Sequence, residues 1–452
     1  MTQPPSPRDD DGDSMAANST ADSFTTISTS SHRRLRPILV GYAFGPKKMS
    51  TMGLIMAEAS RAQLSTVVTT EVPLNESIPT SSLTSAALEQ AHSAKQPNVV
   101  LSLQEGGLRN IVRYFRSSCS SVVGSEDTLT TATSTHLPSM SSGTQKVRVS
   151  FVPLDLDSPL EEQHGGNFDA ILHKLTEDIL CLSTLPEDTS NLDEAQLQAI
   201  SRVSRLTSYK RDHPHCYLVD HPSHVQVIMS RADISRILTK CLVGIVGKSG
   251  IPVRTPAYEI YDGTTTTIQL STPLIAKPLT AAGTKKSHCM GVVLQESGLQ
   301  KIQETPCLLQ EYINHNAILH KIYVLGDHVS VFERPSLPNL PSRSDVGHDF
   351  CEFDSQRPYP TLEEFGLSEE QTSKQQSDSH HVTVDEIQPV VAALKQAFGL
   401  ELFGFDILVT SSSFLVVDVN YFPSYKEVSN FPSLLANYLT QRAIDGRIDN
   451  PR

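Results

Sequence analysis

Apolar residues fall into short strand-like and helix-like patterns along much of the chain. The segment PILVGYAFGPKKMSTMGLIMAEASRAQ predicts a strand, a Gly/Pro turn and a helix. VRVSFVPLDL and FDAILHKL predict two more strands, and one helix is expected from there through about residue 206. CYLVD predicts a buried strand at 216–220, and the residues after it begin a helix. This alternation of strand and helix is typical of an α/β domain.

The second half of the chain is richer in strands. TPLIAKPL and CMGVVL predict two strands joined by a loop, and CLLQEYI predicts a third. KIYVLGDHVSVFERPS predicts a hairpin that turns at Gly326 and Asp327. A helix in VDEIQPVVAALKQAF and a second hairpin in LFGFDILVTSSSFLVVDVNYF follow. The C-terminal half is therefore predicted to contain two hairpins.

Four segments have no such periodicity. Residues 1–35 are rich in Ser, Thr, Pro and acids and are predicted to be a disordered tail. Residues 65–146 and 341–381 are polar and aperiodic, so we interpret them as insertions, and 442–452 as a C-terminal tail. The longest apolar runs are far below the roughly 20 residues of a membrane-spanning helix, and the N-terminus lacks the pattern of a secretory signal.

Composition narrows the class of protein. With 37 Lys and Arg against 50 Asp and Glu, the formal charge is −13, which is unfavourable for general nucleic-acid binding. The seven cysteines are scattered and form no C-x-x-C pair, which excludes a disulfide framework and a zinc site. We therefore expect a reducing, intracellular location, cytoplasmic or nuclear, with no membrane partner.

The last hairpin carries the most informative chemistry. If SSS (411–413) is a three-residue loop, Thr410 pairs with Phe414, and the same register puts Asp406 directly opposite Asp418. Asn420 shares a face with Asp418. Two carboxylates about 5 Å apart repel by roughly 3 kcal/mol at an effective dielectric of about 20. A Mg²⁺ ion would compensate; the alternative interpretation is two solvated acids at a sheet edge.

A second group of candidate residues lies in the strand that ends at Lys277 and in the loop that follows it. Lys277 ends the strand PLIAK and precedes AAGTKKSH, a Gly-containing loop with two lysines and a histidine that could cover phosphates; alternatively it is a solvated boundary residue. Gln310–Ile313 end another strand and could offer backbone groups to an adenine edge. GIVGKSG is rejected as a phosphate-binding loop because the first glycine of that motif would fall on Leu242.

Several of these segments occur together in one known family. VGYAFGPKK, FDAILHKL, YLVDHP, LIAKPLTAAGTKKSH, LLQEYINHNAILHKIYVLG, ERPSLPN, LFGFDILV and VVDVNYFPSY, in this order, resemble the inositol-tetrakisphosphate 1-kinases, also called inositol 1,3,4-trisphosphate 5/6-kinases. These are ATP-grasp enzymes. The resemblance implies an α/β ATP-grasp fold with an N-terminal α/β domain at 36–222 and mixed α+β subdomains at 223–315 and 316–441 that sandwich ATP.

The resemblance also implies roles for individual residues. The positions that match ATP contacts are Arg231, Lys277, His288, Gln310, Glu311, Tyr312, Ile313, Lys321 and Ser336. The positions that match inositol phosphate contacts are Lys48, Lys174, His288, Lys321, Asn420 and Ser424. Asp406, Asp418 and Asn420 match the Mg²⁺ ligands, with two ions expected.

The implied activity is transfer of the ATP γ-phosphoryl group to a hydroxyl of an inositol tetrakisphosphate (1-position) or of inositol 1,3,4-trisphosphate (5/6-position), by a monomer. The highly charged substrate requires a basic pocket, for which we predict the lysines and histidine of the matched motifs: Lys47, Lys48, Lys174, Lys285, Lys286, His288, Lys321 and Lys426. Two alternatives stay open. One is another ATP-grasp enzyme that ligates a carboxylate to an amine; the other is a non-catalytic inositol-phosphate sensor.

Overall fold

The computed structural model describes residues 36–63, 68–71, 142–145, 148–264, 268–341, 348–368 and 382–449. The described residues from Pro37 onward belong to one compact unit. The predicted tail at 1–35 and nearly all of the predicted insertion at 65–146 lie outside the described residues. The two described pieces of that insertion pair as a small antiparallel hairpin of β2 (Val68–Glu71) and β3 (Ser142–Gln145).

The N-terminal part contains a four-stranded parallel sheet in the order β4-β1-β5-β6. Its strands are β1 (Ile38–Phe44), β4 (Val149–Pro153), β5 (Ala170–Lys174) and β6 (Tyr217–Val219). Helix α1 (Pro46–Gln63) follows β1, as the sequence predicts. The carboxyl ends of β1 and β5 meet at one edge, where Phe44 is paired with Lys174.

The long helix predicted between β5 and β6 is wrong, because the structure has two helices there. Helix α2 (Thr176–Ser183) and helix α3 (Glu194–Asp212) are separated by a loop, and α3 continues past residue 206. Asp193 starts α3 with a capping box, in which it accepts a hydrogen bond from Gln196 N and the Gln196 side chain accepts one in return. The helix predicted after β6 is also divided, into α4 (Pro222–Val227) and α5 (Arg231–Cys241), with Ser230 capping α5.

The central sheet is antiparallel, in the order β14-β10-β9-β11-β8. Its strands are β8 (Tyr258–Tyr261), β9 (Leu274–Pro278), β10 (Cys289–Val293), β11 (Cys307–Glu311) and β14 (Phe350–Asp354). Strand β14 lies inside 341–381, so the interpretation of that segment as an insertion is wrong in its described part. The segment adds an edge strand to the sheet and buries Phe365 completely.

The C-terminal sheet has the order β13-β12-β15-β16-β7, in which only the β16–β7 pair is parallel. Its strands are β7 (Val253–Arg254), β12 (Ile318–Leu325), β13 (His328–Pro335), β15 (Leu402–Val409) and β16 (Phe414–Tyr421). The predicted hairpin at Gly326 and Asp327 is confirmed. The predicted helix before β15 is confirmed as α6 (Val384–Phe398).

The last helix, α7 (Phe431–Asp449), corrects the predicted tail at 442–452. The helix continues through most of that segment because Ala443 is buried and Arg447 forms an ion pair of 2.7 Å with the buried Asp169 before β5. None of the helices in the described ranges is long and apolar enough to cross a bilayer.

One face of the C-terminal sheet belongs to the main core, where Phe405, Ile407 and Val419 are fully buried. The other face carries a small separate apolar cluster of Ile313, Leu408 and Leu415. The alternation of strand side chains puts the acids of the last hairpin on this second face, away from the core.

Candidate active site

The two acids of the last hairpin lie opposite each other. Asp406 of β15 is paired with Asp418 of β16, which confirms the predicted pairing. The predicted loop is wrong by one residue, because Val409 pairs with Phe414 and four residues connect the strands. A β-bulge beside Asp406 then gives β16 one additional residue, Val417, and restores the opposition of the two acids.

The donor set at this pair fits a divalent cation. Asp406 Oδ1 is buried and accepts no hydrogen bond, although Lys321 Nζ lies 3.6 Å away. Burial, together with the charge of Asp418, raises the pKa of Asp406. Asn420 Nδ2 donates to Asp418 Oδ2 at 3.2 Å, so the amide lies beside one of the two carboxylates. Carboxylate and amide oxygens are ligands that Mg²⁺ prefers. Here one carboxylate oxygen, Asp406 Oδ1, has no hydrogen-bond donor and could bind the ion.

Lys277 is buried and lies between the central and C-terminal sheets. Its Nζ donates to Gln310 Oε1 at 2.7 Å within the central sheet and to the carbonyl oxygen of Val417 at 3.2 Å in the C-terminal sheet. Burial lowers the pKa of Lys277 to about 8, while the charge of Asp418 opposes that shift. The alternative of a solvated boundary residue is therefore excluded, and the ammonium lies on the face that carries the acids.

The loop between β9 and β10, at 279–288, is held at both ends by Arg231. The guanidinium donates to the carbonyl oxygens of Pro278 at 2.7 Å and Thr280 at 2.9 Å, and to Ser287 O at 2.9 Å. Burial lowers the pKa of Arg231, and its Nε has no hydrogen-bond partner. The described contacts of this arginine are thus with the loop backbone.

The stretch from Gln310 to Ile313 leads from the central sheet to the C-terminal sheet. The backbone amides of Glu311 and Tyr312 are already bonded, to Ala257 O at 2.9 Å and Pro273 O at 3.2 Å. These two groups are therefore not free for an adenine edge. Ile313 instead contributes its side chain to the small apolar cluster on the C-terminal sheet.

Ser336 lies beyond this stretch, at the end of β13. Its hydroxyl is 2.8 Å from His315 Nε2, and its amide donates to Ala317 O at 2.9 Å. Tyr312 Oη donates to Pro338 O at 2.6 Å, which ties the same connection to the segment after β13. The connection between the two sheets is thus fixed by several polar contacts.

The N-terminal sheet supplies a lysine to the same region. Lys174 Nζ donates to the carbonyl oxygen of Phe422 and lies 5.1 Å from the centre of that ring. Burial lowers the pKa of Lys174 to about 8, and the nearby charge of Lys48 lowers it further. Lys48 is exposed in the first turn of α1. Ser424 is exposed.

His288 ends the loop and is contacted by residues that the sequence did not single out. Its ring lies 3.4 Å from Ser355 Oγ and 3.0 Å from Gln356 Nε2, both directly after β14. Tyr359 follows, and its pKa is raised to about 12 by burial and then by the charges of Asp406 and Asp418. In the sequence, this segment is marked only by the short apolar run that forms β14. Acidic residues on both sides of that run interrupt the strand pattern.

Two further predictions can be compared with the structure. Lys286, assigned to the basic pocket, instead pairs with Glu304 at 2.6 Å, so it is not a free cation. GIVGKSG follows a helix, α5, and not the strand that a phosphate-binding loop requires; Lys248 pairs with Asp385 at 3.0 Å, and Ser249 N donates to Glu386 at the start of α6.

Comparisons with known proteins agree with this geometry. The inositol 1,3,4-trisphosphate 5/6-kinase pre-ATP-grasp domain matches residues 122–225, and the ATP-grasp domain of the same family matches residues 251–441. Inositol-tetrakisphosphate 1-kinase 5 of Oryza sativa subsp. japonica is 31% identical over 317 residues, which are 67% of this chain and 84% of that protein. The inositol-tetrakisphosphate 1-kinase of Danio rerio is 28% identical over 328 residues, 68% of this chain and 74% of that protein.

A solved structure with a similar backbone is the D-alanine–D-alanine ligase of Bacillus anthracis complexed with ATP. It is 11% identical, has a TM-score of 0.40, and the similarity covers 92% of this chain and 99% of that one. A similarity at this level carries no information about activity.

The matched domain, the two sheets and the buried lysine between them define an ATP-grasp enzyme that uses ATP. Within that class, the chain belongs to the inositol 1,3,4-trisphosphate 5/6-kinase family. It is therefore a kinase.

Proposed function

We propose that this kinase transfers the γ-phosphoryl group of ATP to a hydroxyl of an inositol polyphosphate. The acceptor is the 1-hydroxyl of a tetrakisphosphate or the 5- or 6-hydroxyl of inositol 1,3,4-trisphosphate, as in the relatives. One observation carries the proposal. Lys174, a cation suited to a phosphate, is bonded to the carbonyl oxygen of Phe422, two residues after Asn420. Lys174, the cation proposed to bind the acceptor, therefore contacts the chain directly after β16, the strand that carries Asp418 and Asn420.

The acceptor side has the electrostatics of an anion site. Each phosphate of the substrate carries about −1.5 to −2 charges at neutral pH. Lys48 and Lys174 lie at the sheet edge where helices α1 and α2 begin, and helix N-termini favour anions. Burial, and then the charge of Lys48, lowers the pKa of Lys174, and a phosphate beside these two lysines would offset both effects. We propose Lys48, Lys174, His288, Lys321, Asn420 and Ser424 as contacts of the inositol phosphate.

The nucleotide is proposed to lie between the central and C-terminal sheets. The buried apolar cluster of Ile313, Leu408 and Leu415 lies on the face that carries the acids and would pack beside the adenine, and Lys277 offers a charge for the phosphates. The proposed ATP contacts are Arg231, Lys277, His288, Gln310, Glu311, Tyr312, Ile313, Lys321 and Ser336.

Catalysis by these residues is mostly positioning and neutralisation of charge. Asp406, Asp418 and Asn420 would hold Mg²⁺, two ions by family analogy, which when bound neutralises the charge of the transferred group. Lys277 holds the two sheets together and adds a second positive charge on the nucleotide side. The loop at 279–288, whose backbone Arg231 holds, is proposed to cover the phosphates.

The division of the chain into parts at 36–222, 223–315 and 316–441 is proposed together with this function, as is a monomeric state. Strand β7, from the middle part, pairs with β16 in the C-terminal sheet, so this boundary crosses a sheet.

The test is ATP consumption with Mg²⁺ against a panel of inositol tris-, tetrakis- and hexakisphosphates. Pairs of amino acids and dipeptides serve as ligase controls. Turnover of a tris- or tetrakisphosphate supports the proposal and identifies the isomer. Turnover only with an amine and a carboxylate would make the protein a ligase. Binding of an inositol phosphate by calorimetry, without turnover of any, would make it a sensor.

A further inference from the structure

The imidazole of His288 is bonded on both nitrogens by two consecutive residues. Ser355 Oγ lies 3.4 Å from Nδ1, and Gln356 Nε2 lies 3.0 Å from Nε2 of the ring. Ser355 N also donates to the carbonyl oxygen of His288 at 2.9 Å. The pair 355–356 therefore holds both the backbone and the side chain of the histidine.

These contacts favour a proton on one of the two ring nitrogens. The amide nitrogen of a glutamine only donates, so the Nε2 of His288 that it faces must accept. The proton of the neutral ring then lies on Nδ1, where it can be donated to the hydroxyl of Ser355. Burial, and then the charge of Arg231, lowers the pKa of His288, which keeps the ring neutral.

The two contacting residues are themselves fixed in a turn. Gln356 N donates to Asp354 Oδ1 at 2.9 Å, and Arg357 N donates to Asp354 O at 2.9 Å. Asp354 in turn ends β14, where it is paired with Cys289, the neighbour of His288. The turn therefore keeps its place relative to the histidine through the sheet itself.

The charges around the ring come from three elements. Arg231 of α5 lowers the pKa of His288, whereas Asp354 of β14 and Asp418 of β16 raise it. Arg231 also holds the backbone of Ser287, the residue before the histidine. The pKa of His288 is thus set by burial and by the opposing charges of one cation and two acids.

We infer that Gln356 is a positioning residue that holds His288 as the neutral Nδ1–H tautomer, with Nε2 as a hydrogen-bond acceptor at the end of the loop. The kinetic consequence of this inference rests on the proposed function. The tautomer of His288 does not depend on that function.

The first test is direct and needs no substrate. In ¹⁵N-imidazole NMR spectra of the full chain, His288 is assigned by its loss in H288N. The wild-type signal should show the Nδ1–H tautomer. Q356A should lose that preference, and Q356E, which places a carboxylate at Nε2, should raise the pH at which His288 titrates by at least about one unit. Q198A on the exposed face of α3 is the matched control and should leave the signal unchanged.

The Nε2–H tautomer in the wild type, or identical His288 signals and titrations in the wild type, Q356A and Q356E, would overturn the inference.

The second test is kinetic. In Q356A, kcat/KM for the inositol phosphate should fall about tenfold, the value of one hydrogen bond, and in Q356E the pH dependence of kcat/KM should shift in the same direction as the NMR titration of His288. A loss in Q356A with an unshifted pH dependence in Q356E would mean a structural role only and would overturn the positioning role. If the wild type turns over no inositol phosphate, the proposed function fails, and the NMR result still decides the inference.

Discussion

The carbonyl oxygen of Val417 accepts a hydrogen bond from Lys277 Nζ at 3.2 Å. Val417 is the extra residue of the bulge in β16. A bulge leaves one residue outside the regular ladder, and here the carbonyl of that residue is used by a lysine of the facing sheet. The bulge that places Asp406 opposite Asp418 therefore also provides the carbonyl group that holds the ammonium of Lys277 near these two acids.

Removing one acid should abolish turnover without unfolding the protein. D418A is expected to lose measurable ATP-dependent turnover, because Asp418 is opposed to the orphan oxygen of Asp406. Circular dichroism should show an unchanged fold. The conservative D406N removes the like-charge repulsion, so the metal-free protein should unfold at an equal or higher temperature than the wild type, and added Mg²⁺ should no longer raise that temperature.

The control for both variants is D327N, in the exposed turn before β13. Retained activity in D418A, or an undiminished effect of Mg²⁺ on D406N, would exclude the metal assignment.

Lys277 should be required for nucleotide binding and should also contribute to stability. K277M keeps the length of the side chain but leaves Gln310 Oε1 and the carbonyl oxygen of Val417 without a donor, so the free energy of unfolding should fall by about 1–3 kcal/mol while the fold is retained. Affinity for a fluorescent ATP analogue should fall by at least about tenfold, since a charged contact contributes roughly 1.5–3 kcal/mol. K248M, which alters an exposed ion pair with Asp385, should bind normally. Tight binding by K277M would place the phosphates elsewhere.

The hydroxyl of Tyr421 should connect stability with acceptor binding. It donates to His173 O at 2.8 Å and accepts from Asp220 N at 3.1 Å, which joins β16 to the N-terminal sheet. Y421F leaves two buried backbone groups unsatisfied and should lower the free energy of unfolding by about 1–3 kcal/mol in chemical denaturation.

KM for the inositol phosphate should rise in Y421F, because Lys174 follows His173 directly, while KM for ATP stays unchanged. A parallel change in both constants would argue against this connection.

Acid should destabilise the protein through His173. Burial lowers the pKa of this histidine to about 4, and its Nε2 donates to Asp220 O at 2.5 Å. The unfolded chain binds a proton near pH 6.5, whereas the folded chain does so near pH 4. Stability is therefore fully present above about pH 6.5 and is lost as the pH falls towards 4, by up to about 1.4 kcal/mol per pH unit.

His221, with a pKa lowered to about 4 by burial, adds to the same loss. Denaturation curves between pH 7 and 4 should show a shallower dependence for H173Q, and no change for the exposed H328Q. An unchanged slope in H173Q would contradict this account.

Phe365 should be part of the folded core although it lies in a segment of polar sequence. It is fully buried within the cluster beneath β10 and β14, so F365A should cost about 3–5 kcal/mol. L54A, at a side chain that is 72% exposed, should change stability by less than about 0.5 kcal/mol. A near-neutral F365A would restore the interpretation of 341–381 as an insertion.

Much of the architecture was predictable because alternation and helical periodicity report burial directly. The sequence predicted the pairing of Asp406 with Asp418 correctly, although the loop that it predicted between the two strands is one residue too short. The Thr410 hydroxyl accepts from Ser413 N at 3.0 Å and closes a four-residue loop, and the bulge then compensates for that one-residue shift. Neither feature has a strong local signal, because serine and threonine suit loops of either length.

Other features depended on tertiary contacts. Strand β14 is short and flanked by acids, and only its pairing with β10 makes it a strand. The contacts of Gln356 with His288 join residues 68 positions apart, and periodicity carries no information about such pairs. The continuation of α7 depends similarly on the distant Asp169.

Consecutive residues at the end of strand β16 contact two different parts of the protein. Asp418 and Asn420 lie on the face that carries the acids, whereas Tyr421 and Phe422 contact the N-terminal sheet. Because neighbouring residues of a strand face opposite sides, the loss or gain of one residue between Val417 and Tyr421 would turn Asn420 or Tyr421 away from its contacts. The spacing of residues along this strand therefore ties the acid pair to the N-terminal sheet.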